Sequence, residues 1–133
     1  MGSEGIVWIR AGSLLQAANL IAIGRNTGNG LLYGNGTAQS PVTVTESGAI
    51  ISPGDTAGEI GRIDLIGNLY LDGGKFNVDI MGSDNDQVHV DGAISYGSGM
   101  NQVVVSVYPL DDGTWDIYFS NQTVPAPSGK FEV

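Results

Sequence analysis

At 133 residues the chain has room for one domain and one core, and its 41% apolar content and mean hydropathy of +0.06 exclude both a disordered polymer and a membrane-spanning helix. A net charge of −9, from 14 acidic against 5 basic residues, disfavours nucleic acid and anionic membranes, both of which are held through Lys and Arg. Cysteine is absent, which removes disulfides, thiolate metal sites and a Cys nucleophile together.

Taken in chain order, the opening Met1-Gly2-Ser3-Glu4-Gly5 lacks the basic region and apolar core of a signal peptide and reads as an expression scar ahead of an excised segment. Ile6-Val7-Trp8-Ile9 forms a first strand ending at Gly12. Residues 13–24 carry Leu14, Leu15, Ala17, Ala18 and Ile21 at helix-compatible spacing, with Ser13 as a cap. A strand is still the favoured reading there, because Asn19 to Gly24 alternates and stops as its neighbours do. Leu31-Leu32-Tyr33, Val42-Thr43-Val44-Thr45 and Ala49-Ile50-Ile51 follow, separated by Gly-Asn and Ser-Gly turns.

Period-2 alternation is clearest at Ile63 and Leu65, Leu69 and Leu71, Phe76, Val78 and Ile80, and then Val88 and Val90, which form the expected interior. Val103 to Tyr108 and Thr114 to Phe119 close the set, with a turn at Asp111-Asp112-Gly113. The 21 glycines, about twice the usual frequency, punctuate these runs. Many strands span only four or five residues, and the turns between them are shorter than a hairpin reversal needs. That pattern predicts an all-β parallel β-solenoid over residues 1–123, with 1–40 as N-terminal coils or a cap and 124–133 as a Pro-containing tail. Gly48, Gly67, Gly74 and Gly92 are its expected corners, the turn-plus-strand units from Gly48, Gly67 and Gly92 lying 19 and 25 residues apart. A β-sandwich is the alternative.

Each candidate site has a plainer reading that outweighs it. Asp84-Asn85-Asp86 offers two carboxylates for calcium, but Asp and Asn are ordinary turn formers and no later Glu completes a loop. Asp111-Asp112 with Asp116, or Asp79 with Asp91, would need carboxyls about 5–9 Å apart beside a sugar cleft to act as a glycosidase. Arg10, Arg25, Arg62, Lys75 and Lys130 form no cluster of the kind a polysaccharide lyase needs. His89, the sole histidine, opposes Val88 and Val90 in parity and is expected to point outward. Gly28-Asn29-Gly30 and Gly34-Asn35-Gly36 lack the Lys-Ser/Thr of a phosphate loop. Trp8, Trp115, Tyr118, Tyr33, Tyr70 and Tyr96 are candidates for stacking on sugars. Thr43 and Thr45 make one Thr-x-Thr, which is no ice-binding array. No catalytic, cofactor or metal residue is therefore expected.

From Ser40 to Ser106 the chain resembles the autotransporter-associated β-strand repeat of bacterial surface and secreted proteins. The likeness is carried by Ile51-Ser52-Pro53-Gly54-Asp55-Thr56-Ala57-Gly58, then Ile63-Asp64-Leu65-Ile66-Gly67-Asn68-Leu69-Tyr70-Leu71. Gly73-Gly74-Lys75-Phe76-Asn77-Val78-Asp79-Ile80 and Asp86-Gln87-Val88-His89-Val90-Asp91-Gly92-Ala93 follow in the same order. The upstream Asn19–Gly24 and Thr27–Leu31 resemble preceding coils. The resemblance implies a right-handed parallel β-helix exported to the cell surface or beyond, with no shared catalytic residues. It implies a stalk or display scaffold, or alternatively an adhesin-like module for glycans or host surfaces. The implied partners are neighbouring solenoid repeats of the same or another chain, including a homo-oligomer through solenoid ends.

Overall fold

The computed structural model describes residues 5–24, 29–56, 58–81, 84–108 and 131–132. Its strands, in chain order, are β1 Gly5–Ile9, β2 Leu14–Leu15, β3 Ile21–Ile23, β4 Gly30–Gly34, β5 Thr37–Ala38, β6 Val42–Thr45, β7 Ala49–Pro53 and β8 Arg62–Ile66. Then come β9 Leu69–Asp72, β10 Lys75–Met81, β11 Asp84–Asn85, β12 Gln87–Asp91, β13 Ile94–Tyr96, β14 Asn101–Tyr108 and β15 Phe131–Glu132. No helix occurs among the described residues. The helix-compatible spacing of residues 13–24 yields the strands β2 and β3, as the alternation there predicts.

Up to β10 every third strand returns to the same sheet, and from there the side strand β11 shifts the count by one. One sheet runs β1-β4-β7-β10-β14-β15, a second β12-β8-β5-β2 and a third β13-β9-β6-β3. The pairings along these three paths are parallel, and the antiparallel contacts among the described residues are short: β10–β11, to one side, and the single bridges Gly34–Gly54 and Thr45–Gly73 at corners. The chain is therefore a three-faced parallel β-solenoid of about four turns, not a sandwich of hairpins. The proposed hairpin at Asp111–Gly113, the strand Thr114–Phe119 and nearly all of the proposed tail lie outside the described residues; within that tail, Phe131 pairs with Asn101 in parallel.

The strands are extended because their side chains sort by parity. Alternate residues face inward and stack on the residue one coil away. In the first sheet the interior column is Val7, Leu32, Ile51, Phe76 and Val103. The second sheet contributes Leu15, Ala38, Leu65 and Val90. The third contributes two columns, Ile21-Val42-Leu69-Ile94 and Ile23-Val44-Leu71-Tyr96. All nine residues expected in the interior are buried.

In the first sheet, residues one coil apart are separated by 25 positions for Ile51–Phe76, but by 19 for Leu32–Ile51. The difference is absorbed at the corners. Between the first and second sheets the second coil needs only Asn35-Gly36, whereas the third inserts the loop from Gly54 to Gly61. The expected corners divide between two edges of the prism. Gly67 and Gly92 stack at the corner between the second and third sheets, where a Cβ on Gly92 would collide with the carbonyl of Gly67. Gly48 and Gly74 instead lie at the return from the third sheet to the first. The 25-residue step from Gly67 to Gly92 is thus a true coil repeat, and the 19-residue step from Gly48 compares two different corners.

Candidate functional site

Polar side chains in this fold concentrate where the chain turns. At a corner the strand ladder breaks, and each backbone N–H turned inward there needs another acceptor. Among the described residues three polar side chains are buried: Ser40, Asp86 and Asn101. Ser40 Oγ accepts from the Ala17 N–H at 2.9 Å and donates to the Ala17 carbonyl, tying the second coil to the first. Asn101 Oδ1 accepts from Gly73 and Gly74 N–H at 2.9 and 3.1 Å. Exposed corners use the same device: Asn35 Oδ1 accepts from Arg62 N–H, Asn68 Oδ1 from Ala93 N–H, and Asp72 Oδ1 from Gly99 N–H.

The densest of these corners holds the expected acidic turn. Asp86 is only 2% exposed, and its two carboxylate oxygens accept from Gly61 N–H at 2.7 Å and Asp79 N–H at 2.8 Å. The neighbouring Asp79 carboxylate accepts from Gly58 N–H at 2.6 Å. Together the two acids fasten the Gly54–Gly61 loop to the coil above it. Burial raises the Asp86 pKa from 3.8 to about 6 against the lowering effect of its two backbone hydrogen bonds, and the nearby Asp79 and Glu59 carboxylates raise it further. Both Asp86 oxygens and Asp79 Oδ2 serve backbone amides, Asp84 is exposed, and no group of three acidic, His or Cys side chains able to hold a metal occurs among the described residues.

The remaining candidates are dispersed. Asp79 lies on β10 in the first sheet and Asp91 ends β12 in the second, while Asp111, Asp112 and Asp116 lie outside the described residues. His89 faces outward as its parity predicts, with Nδ1 3.3 Å from Asp64 Oδ1, and Asp64 also accepts from Arg62 Nε at 2.9 Å. Thr43 stands in an outer column with Ala22, Tyr70 and Ser95, so no threonine array forms. Arg10, Arg62 and Lys75 occupy separate places; Lys75 is in register with Ile50 and Gln102. Arg25 and Lys130 lie outside the described residues.

Among the candidate aromatics, Trp8 and Tyr33 meet. They are in register on the outer face of the first sheet, stacked with centroids 5.9 Å apart and planes 3° from parallel. The Arg10 guanidinium lies 4.5 Å over the Trp8 ring, and Trp8 Nε1 donates to Asp55 Oδ1 at 2.8 Å. The indole is thus already engaged by an aromatic ring, a cation and a carboxylate. Tyr70 stands on the outer face of the third sheet, and Tyr96 packs against the core. Trp115 and Tyr118 lie outside the described residues. Comparison with protein-family models, with curated proteins and with solved structures finds no match to this chain.

The feature that sequence reasoning missed is the inward Asp86, read there as one end of a surface turn. The signal was present: Asp86 shares the parity of Val88 and Val90, as Asn101 shares that of Val103 and Ser40 that of Val42. Each buried polar residue stands two positions ahead of a buried valine in the strand that it begins or precedes.

Proposed function

We propose that the chain is a non-catalytic structural segment, a β-solenoid module of a secreted or cell-surface, autotransporter-like bacterial protein that acts as a stalk or display scaffold. The observation that carries this reading is the continuous ladder of the first sheet, in which β1, β4, β7, β10 and β14 stack in parallel register over a single column of apolar side chains. Each added coil extends such a rod by about 4.8 Å and places its outward side chains in straight rows. The succession of turn and strand motifs from Ser40 to Ser106 supports an exported setting through its resemblance to the autotransporter-associated repeat.

The polar chemistry agrees with a structural role. Both Asp86 carboxylate oxygens and Oδ2 of Asp79 accept from backbone amides, and Ser40 and Asn101 do the same with their own oxygens. The outward position of Trp8 and Tyr33 favours an adhesin-like glycan-binding module as the second reading, although Trp8 already carries Tyr33 on one ring and the Arg10 cation over its own. A glycan array probed with the whole chain separates the two. The stalk reading expects no binding above background, while saturable binding that Trp8→Ala abolishes would replace it with the adhesin reading.

A further inference from the structure

One of the buried polar residues is an acid, and it stands where two coils are fastened together. Asp86 directly precedes β12, and Gly61, 25 positions earlier, directly precedes β8. The stretch Gly58–Gly61 contributes no residue to the apolar core. Its hydrogen bonds to neighbouring elements run through polar groups instead. Gly61 N–H donates to Asp86, Gly58 N–H donates to Asp79, and the Gly61 carbonyl accepts from Gln87 N–H. Asp86 also accepts from Asp79 N–H, so a single buried carboxyl joins this stretch to β10.

The corner at Gly73-Gly74 is built the same way without an ionisable group. There both N–H groups donate to Oδ1 of the fully buried Asn101. A side-chain amide is neutral at every pH, whereas a carboxyl is not. Three acids flank Asp86: Asp79 on β10, Glu59 in the stretch itself and Asp84 on β11. The described cations are engaged elsewhere or distant. The Arg62 guanidinium of β8 is turned to Asp64, His89 Nδ1 of β12 lies against the same Asp64, and Lys75 stands at the start of β10. Asp55, at the base of the loop, accepts from Trp8. β7 and the described side chains of β14 bring no charged group.

The neutral acid suits this site, because its oxygens still accept from the two amides and no charge is left without water. The carboxylate does not suit it. Burial, then the Asp79 and Glu59 charges, oppose ionisation and hold the pKa at about 6 instead of 3.8. Water is close at hand, in a groove of about 450 Å³ lined by Ile60, Gly61, Arg62, Asp84 and Gln87.

From this geometry we propose that Asp86 is a pH-sensitive latch: its neutral carboxyl holds Gly58–Gly61 to the coil above, and its ionisation releases that stretch while the rest of the solenoid stays folded. Release lets water from the groove solvate the carboxylate and separates it from Glu59. A group whose pKa is raised in the folded state stabilises that state fully below 3.8 and ceases to do so as the pH rises through 6. The latch is therefore tightest in acid. If release returns Asp86 to its ordinary pKa, the ratio of latched to released forms falls about fiftyfold between pH 4 and pH 7. The proposal goes beyond the stalk role and rests on the fold alone.

The test is amide hydrogen exchange of the whole chain, followed residue by residue from pH 4 to pH 7 and normalised to the rates of the unstructured sequence. Protection of the Gly61 and Asp79 N–H groups is expected to fall about fiftyfold relative to Gly73 and Gly74, the amides held by Asn101, and to level off above pH 6. In Asp86→Asn that relative change is expected to vanish. Should this variant not fold, the side-chain carboxyl carbon of Asp86 in the unaltered chain gives a second reading, with a chemical-shift midpoint expected near pH 6. A ratio between the two pairs of amides that stays constant with pH would overturn the proposal, as it marks opening of the whole molecule or none. So would a change that persists in Asp86→Asn, or a carboxyl midpoint near 3.8.

Discussion

Asp86 shows how one buried carboxylate serves a corner. Replacing it with Ala strands the Gly61 and Asp79 N–H groups in the interior and is expected to cost about 1–3 kcal/mol, measured by chemical denaturation. The pH dependence has a definite sign. The folded-state pKa is raised from 3.8 to about 6, so the folded state binds the proton more tightly than the unfolded chain. The group's contribution to stability is therefore fully present below pH 3.8 and is lost as the pH rises through 6. The stability advantage of the wild type over Asp86→Ala is expected to widen as the pH falls from 7 to 4; a constant or shrinking advantage would show that the carboxylate is not desolvated. Gly61, which donates to Asp86, has a different sensitivity: a Cβ there would run into the backbone of Gly54 and the Asn35 amide oxygen. Gly61→Ala is expected to cost about 1–3 kcal/mol by overpacking. At this scale the apolar interior was legible from parity alone. The inward Asp86 was not, because turn-forming propensity gives Asp the same identity whether it faces solvent or a buried amide.

Among the elements, β10 is central to the stack. Its Phe76 is completely buried between Ile51 and Val103, and the strand pairs β7 on one side and β14 on the other. Phe76→Ala is expected to lose about 3–5 kcal/mol, and the outward Asn77→Ala much less, when compared by thermal melting. The contrast checks the inward–outward assignment of the longest alternating run in the sequence. Residues 13–24 illustrate what a sequence leaves open at this scale. Their apolar spacing fits a helix, but Leu15, Ile21 and Ile23 each find a place in an interior column over Ala38, Val42 and Val44. Long-range stacking outweighs local propensity there. The corner glycines were likewise recognisable as turns, but not which edge of the prism each occupies. Gly48 and Gly67 look alike in sequence, and only the return of every third strand to its own sheet separates them.

For the molecule as a whole, stability comes from repetition, with each coil contacting only its neighbours. Such an array should tolerate loss of a complete coil. Removing residues 66–90 joins Leu65 to Asp91 at equivalent positions of successive coils. The shortened chain is expected to keep a β-sheet circular dichroism spectrum and unfold at a lower temperature, whereas an unfolded product would contradict modular stacking. The solenoid was legible from short strands, glycine spacing and the near-regular 25-residue step, because those features report local geometry that recurs. The most direct measurement is the pattern of nuclear Overhauser contacts between backbone protons of the whole chain in solution. A parallel solenoid places Asp64 beside His89, Val42 beside Leu69, and Phe76 beside Val103, so contacts between residues about 25 positions apart should dominate. A network of antiparallel contacts joining successive strands, β8 to β9 and β12 to β13, would contradict the solenoid.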